Sequence, residues 1–164
     1  MVYTVGTNLV NDNIYVLLEY GLLLLQFCLW NKSLKKTCLW LAGIGCLVWI
    51  ADNLVINTIR SNTSFFRLFY FLVIFFLSLI QVSRIVNAGS HCIFKNPAFL
   101  VCTAFLVYYS CRAFMEMVNF FLIDQDNLFN TKVFMVSNVA NLFSYIIYTI
   151  AILCIPGKHE FITQ

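Results

Sequence analysis

The chain has little charge. Asp, Glu, Lys and Arg make up 10% of its 164 residues, where soluble domains carry about 25%, and this excludes an ordinary water-soluble protein. Only two prolines occur, Pro97 and Pro156, and both fall where apolar stretches begin or end, the positions at which the ring costs a helix least. The two histidines, His91 and His159, stand alone in separate loops, so they lack the ligand spacing of a zinc site. Seven cysteines are present, Cys28, Cys38, Cys46, Cys92, Cys102, Cys111 and Cys154, with no CxxC pair. An odd count without a spacing pattern argues against a disulfide framework, and within apolar helices cysteine acts as a small hydrophobic residue. No nucleophile elbow, phosphate-binding glycine loop or zinc signature is found. The expectation is no catalytic residue, no metal, no cofactor and no nucleic-acid partner.

Apolar residues are there in quantity: 62% of the chain is hydrophobic and 17% aromatic. Five stretches, about 13–30, 38–58, 66–87, 97–122 and 132–155, are each long enough at about 1.5 Å per residue to cross a hydrocarbon core of about 30 Å. Runs such as LLLLQFCLW and FFRLFYFLVIFFLSLI show no strict alternation, which argues against a membrane barrel. The first stretch has no preceding Lys or Arg, carries Glu19 in its core and has no small-residue cleavage site after it, so it is expected to persist as a helix and not to be removed as a signal peptide. Short connections make neighbouring helices antiparallel. The fold predicted is an all-α integral membrane protein, one five-helix antiparallel transmembrane domain over residues 1–164. Linkers, repeats and an attached output domain are not expected.

Orientation follows from the basic residues. Lys32, Lys35, Lys36, Arg84, Lys95 and Lys158 fall on one side if the helices alternate, and Arg60, Arg67 and Lys132 on the other. The positive-inside rule then puts the N-terminus outside and the C-terminus in the cytoplasm. Lys35, Lys36, Arg84 and Lys95 are read as interface anchors, their stems reaching towards headgroups. An arginine six residues before a histidine in RIVNAGSH, 84–91, is a pattern used by some RNA-cleaving helical domains; here it lies at a membrane boundary, and anchoring explains Arg84 better.

Polar residues inside the apolar stretches are the candidate site. Helical spacing aligns Tyr108, Arg112, Glu116 and Asn119 along the fourth stretch, with Phe105, Ala113, Phe114, Phe120 and Phe121 read as the opposite face. The first stretch offers Tyr15, Glu19 and Gln26, the second Asp52, Asn53 and Asn57, the fifth Asn138, Asn141, Tyr145 and Tyr148. The third is dense in phenylalanine, with Ser78 and Gln81. A charge at membrane depth costs from about 2.5 kcal/mol upward, so these groups should face the protein interior. The bland reading is that they hold helices together through hydrogen bonds of about 0.6–2 kcal/mol each. The functional reading is that Glu19, Asp52, Arg112 and Glu116 line a polar cavity. Three acids against one deep arginine cannot all be ion pairs, so an acid must hold a proton, see water or meet Arg60, Arg67 or a partner's cation. Arg112 is expected to pair with one of Glu116, Glu19 and Asp52.

Three stretches, YVLLEYGLLLL in the first helix, KNPAFLVCTAFLVYYSCRAF entering the fourth and NVANLFSYIIYTIAILC in the fifth, resemble a group of small multi-spanning bacterial membrane proteins encoded beside two-component sensor kinases. They are similar also to the membrane-embedded halves of some such kinases. The resemblance implies the bacterial inner (plasma) membrane and a sensory or accessory role, and carries over no catalytic residue. The function expected is thus a non-enzymatic module that acts in the lipid bilayer through helix packing, with a membrane-protein partner or as a homo-oligomer. An oligomeric pore or channel is the alternative, and a small transporter the third reading.

Overall fold

A computed structural model of the chain describes residues 5–56, 64–88, 93, 96–121 and 127–154. It consists of five helices: α1 (Val5–Trp30), α2 (Lys35–Ile50), α3 (Ser64–Asn87), α4 (Pro97–Phe121) and α5 (Asn127–Leu153). A short 3₁₀ turn, Lys32–Leu34, precedes α2, and a π-helical segment, Ala51–Ile56, continues it. No strand occurs among the described residues. A helix satisfies its backbone N–H and C=O groups within its own segment, which makes it one of the two structures, with the closed barrel, that can cross lipid.

The spans Val10–Trp30, Lys32–Leu54, Phe65–Asn87 and Pro97–Val118 are long and apolar enough to cross a membrane. The described apolar run of α5, Asn138–Leu153, is shorter. The first helix starts at Val5 where 13 is expected, and the second differs at both ends. Its expected start at 38 moves back to Lys35, so that Lys35 and Lys36 open α2 as exposed residues instead of standing in a loop. At its other end the α-helical geometry gives way at Ala51 to the wider π turn.

The helices form two compact units, one of Met1–Ile74 and Glu116–Ile123, the other of Phe75–Met115 and Asp124–Gln164. In the first, α1 and α2 make a hairpin. Asn31 closes its turn: the side chain accepts from the Ser33 N–H at 3.1 Å, and its carbonyl accepts from the Leu34 N–H at 3.0 Å. Tyr20 pins the two helices together. Its hydroxyl donates to the Leu41 carbonyl at 2.7 Å, and its ring lies directly against Gly45, where any Cβ would collide with it. The same ring meets Phe66, Phe69 and Tyr70 of α3 edge-on at centroid distances of 5.8, 6.3 and 5.7 Å. Such pairs contribute about 0.5–1.5 kcal/mol each beyond area burial. Of these rings, Phe66 and Tyr70 are fully buried, as are Phe27 and Ile74 in the same unit.

In the second unit, Asn96 caps α4: its side-chain oxygen accepts from the N–H groups of Ala98 and Phe99 at 3.0 and 3.4 Å. Pro97, with no N–H to leave unpaired, opens the helix as expected. Cys102, Phe105, Tyr109 and Ala113 are the buried stripe of α4, and Phe105 meets Tyr148 of α5 at 5.9 Å. The opposite-face expectation therefore holds for Phe114, which is exposed, and fails for Phe105 and Ala113. Phe105 lies seven residues, about two turns, before Arg112, and so on the same side of the helix. The buried face of α5 is small, with Ala140, Ser144 and Ala151, which lets a neighbouring helix approach closely.

Candidate functional site

Buried polar groups concentrate where α1 begins, α2 ends and α3 begins. Asp52 and Asn53 are each 1% exposed, on the π-helical segment. Asp52 Oδ2 accepts from the backbone N–H of Phe66 at 2.9 Å. That N–H belongs to the first turn of α3, where four donors have no partner within the helix. A carboxylate there also meets the positive end of the helix dipole. Asp52 thus caps a helix from another element, and does so inside the protein, where an unmet donor is costly.

The same groups tie in α1. Asn53 Nδ2 donates to the Trp49 carbonyl at 3.0 Å, one turn back, and Trp49 Nε1 donates to the Asn13 carbonyl at 3.1 Å. Arg67, one residue beyond the capped N–H, reaches Asp12 with Nη2–Oδ2 at 3.4 Å. The Arg67 side chain is 16% exposed and that of Asp12 64%, so this pair sits at the edge and contributes little on its own. Asn53 Oδ1 and Arg67 Nε are buried without a partner.

In the fourth helix, Tyr108, Arg112 and Glu116 are half-buried beside the buried stripe. The hydrogen-bond partner of Arg112 is Tyr108: Nε donates to the phenol oxygen at 3.2 Å, and the guanidinium carbon lies 5.4 Å from the ring centroid. Among the described residues the pairing expected with a carboxylate does not occur for Arg112. The physical reason is local. Tyr108 lies one turn N-terminal, the direction in which a helical side chain leans, whereas Glu116 lies one turn the other way.

The remaining predicted positions separate. Glu19 is half-buried beside the fully buried Tyr20; Asn138 and Tyr145 are exposed on α5, as is Tyr15 on α1; Asn141 is half-buried, with Oδ1 buried and unpartnered. Lys35, Lys36 and Arg84 are exposed, as an anchoring role requires. Asn57 and Lys95 lie outside the described residues, as does the side chain of Asn119. Ser78 and Gln81 are buried in α3. Residues the sequence reading missed are Asn13, Trp49 and the Asp12–Arg67 pair. Alternating helices put Asp12 and Arg67 at the same end, and that was the available signal. Nothing local in the sequence marked Asn13 and Trp49, which lie 36 residues apart.

Several hydroxyls close on their own helix: Thr103 on Phe99, Ser144 on Ala140 and Thr149 on Tyr145, at 2.8–2.9 Å. No cluster of three or more metal-ligating side chains occurs among the described residues. The fold defines a class, an all-helical chain with four helices able to cross a membrane. Comparison with family models, curated proteins and solved structures finds no match for the chain.

Proposed function

We propose that the chain is an integral membrane protein crossing the bilayer five times, with its N-terminus outside and its C-terminus in the cytoplasm. It acts without catalysis, as a sensory or accessory module that works by helix packing with a membrane-protein partner or with further copies of itself. The observation that carries this reading is the use of the buried polar groups. Asp52 Oδ2, Asn53 Nδ2, Trp49 Nε1 and the hydroxyls of Thr103 and Ser144 are bonded to backbone donors and acceptors, the use that helices packed away from water make of such groups. A reaction centre would need such groups converging on a substrate.

The outward faces support the lipid contact. Leu18, Leu22, Leu25 and Leu29 of α1 are 57–70% exposed at helical spacing, and Val139, Leu142, Ile146 and Leu153 of α5 likewise face outward. The bacterial plasma membrane is proposed as the location from the resemblance named above, and the orientation from the bias of Lys and Arg. Native mass spectrometry of the protein released in patches of its own membrane tests the reading. A defined homo-oligomer or a stoichiometric companion is expected. A monomer that crosslinks to nothing in cells would count against it, and ion conductance in planar bilayers would favour the pore instead.

A further inference from the structure

Tyr108 holds Arg112 by one edge only. Nε donates to the phenol oxygen at 3.2 Å, and the guanidinium carbon stands 5.4 Å from the ring centroid. The two Nη groups at the end of the planar fork carry four of its five N–H donors. They have no acceptor among the described residues. Nor are they among the polar atoms buried without a partner, which are Asn53 Oδ1, Arg67 Nε, Gln81 Oε1 and Asn141 Oδ1. The Nη groups therefore open on the surface of the chain.

Tyr108 also sets their depth. In the span Pro97–Val118, Arg112 lies six residues, about 9 Å, from the Val118 end and Tyr108 ten residues, about 15 Å. The hydrogen bond thus draws the cation towards the middle of a hydrocarbon core about 30 Å thick, away from the near end to which an untethered arginine would snorkel. A charge at that depth is costly and is met by a partner. The chain's own acids do not supply one. Asp52 is 1% exposed and accepts from the Phe66 N–H, Asp12 pairs with Arg67, and neither Glu19 nor Glu116 is free. A second copy of the chain would bring the same engaged acids.

We propose that the Nη edge of Arg112 is a docking point for a companion membrane protein that carries an aspartate or glutamate within a transmembrane helix. The fork takes both oxygens of a carboxylate at once. Because Tyr108 already fixes the guanidinium, less side-chain freedom is lost on binding. The depth disfavours a headgroup phosphate as the occupant. The proposal rests on the accessory reading above and chooses between its two forms, a companion in place of further copies.

The test reconstitutes the full chain in phosphatidylcholine vesicles and titrates it with a synthetic Leu-Ala transmembrane peptide of about 20 residues bearing one aspartate near its middle. Energy transfer between dyes on the two reads their association. The aspartate peptide should bind about tenfold more tightly than the same peptide with asparagine, the factor that a weak close charge pair gives. Arg112→Gln should remove the difference, and Arg112→Lys should restore part of it. Equal binding of the two peptides by the wild-type chain, a result that needs no variant to fold, overturns the proposal, as does a preference that survives Arg112→Gln. Dephasing of the Arg112 guanidinium carbon by lipid phosphorus in solid-state NMR, with no preference for aspartate, would give the site to a headgroup instead. Aspartate-dependent binding by a protein that is released from its own membrane without a companion would count against the accessory reading and leave this site standing. A stoichiometric companion without any aspartate preference would do the reverse.

Discussion

At the scale of single residues, Gly45 shows how the hairpin depends on an absent side chain. A methyl group there meets the rigid ring of Tyr20, which is held in turn by Leu41 and three aromatic neighbours. Gly45→Ala should therefore destabilise the protein by about 1–3 kcal/mol, the usual cost of overpacking, whereas Gly43→Ala, with open space around it, should be neutral or better. Thermal melting in one detergent compares them directly. Asp52→Ala removes the cap of α3 and should cost about 1–2 kcal/mol. Asp52→Asn, which keeps an acceptor, should cost clearly less. Arg112 gives a third case. With Tyr108 as its partner, a double-mutant cycle of Arg112→Gln and Tyr108→Leu, which removes both hydroxyl and ring, should show coupling of about 0.5–1 kcal/mol. Coupling of Arg112 to Glu116 instead would mean that the carboxylate expectation was right.

Elements were the most legible scale in the sequence, because uninterrupted apolar runs in lipid leave the backbone few alternatives to the helix. Pro97 marked the start of α4 correctly. The ends are less legible where side chains from elsewhere set them: α3 begins with a donor capped by Asp52, which no local pattern announces, and Lys35 and Lys36 precede the apolar stretch that starts at 38, although the helix already includes them. The π-helical segment was not foreseen. Its residues, ADNLVI, carry the buried Asp52 and Asn53, and Asp52 is held by the Phe66 N–H of α3, fourteen residues away in sequence. The stripe of α4 was legible as a stripe, but which side of it is buried depends on Phe105 packing against Tyr148. For α5, whose described apolar run is the shortest, the lipid-facing assignment has a direct check. Leu142→Lys places a charge on its exposed face near the middle of the helix and should raise the cost of insertion by about 2.5–3.5 kcal/mol. A glycosylation-tagged insertion assay should then lose most α5 insertion; unchanged insertion would mean that this face meets protein or water.

For the whole molecule, we propose that the polar residues are the means by which a chain of 62% hydrophobic composition packs its helices within a bilayer, and that the protein works through what those helices pack against. The proposal turns on the number of crossings, because five would put the two ends on opposite sides and leave the lysine-rich turn of the α1–α2 hairpin on the cytoplasmic side. The most direct measurement is labelling of Thr4→Cys and Glu160→Cys, each introduced into a background without the native cysteines, with a membrane-impermeant maleimide. The five-crossing topology predicts that, in intact cells, Thr4→Cys is labelled and Glu160→Cys is labelled only after the membrane is opened. Labelling of both from the same side would contradict it.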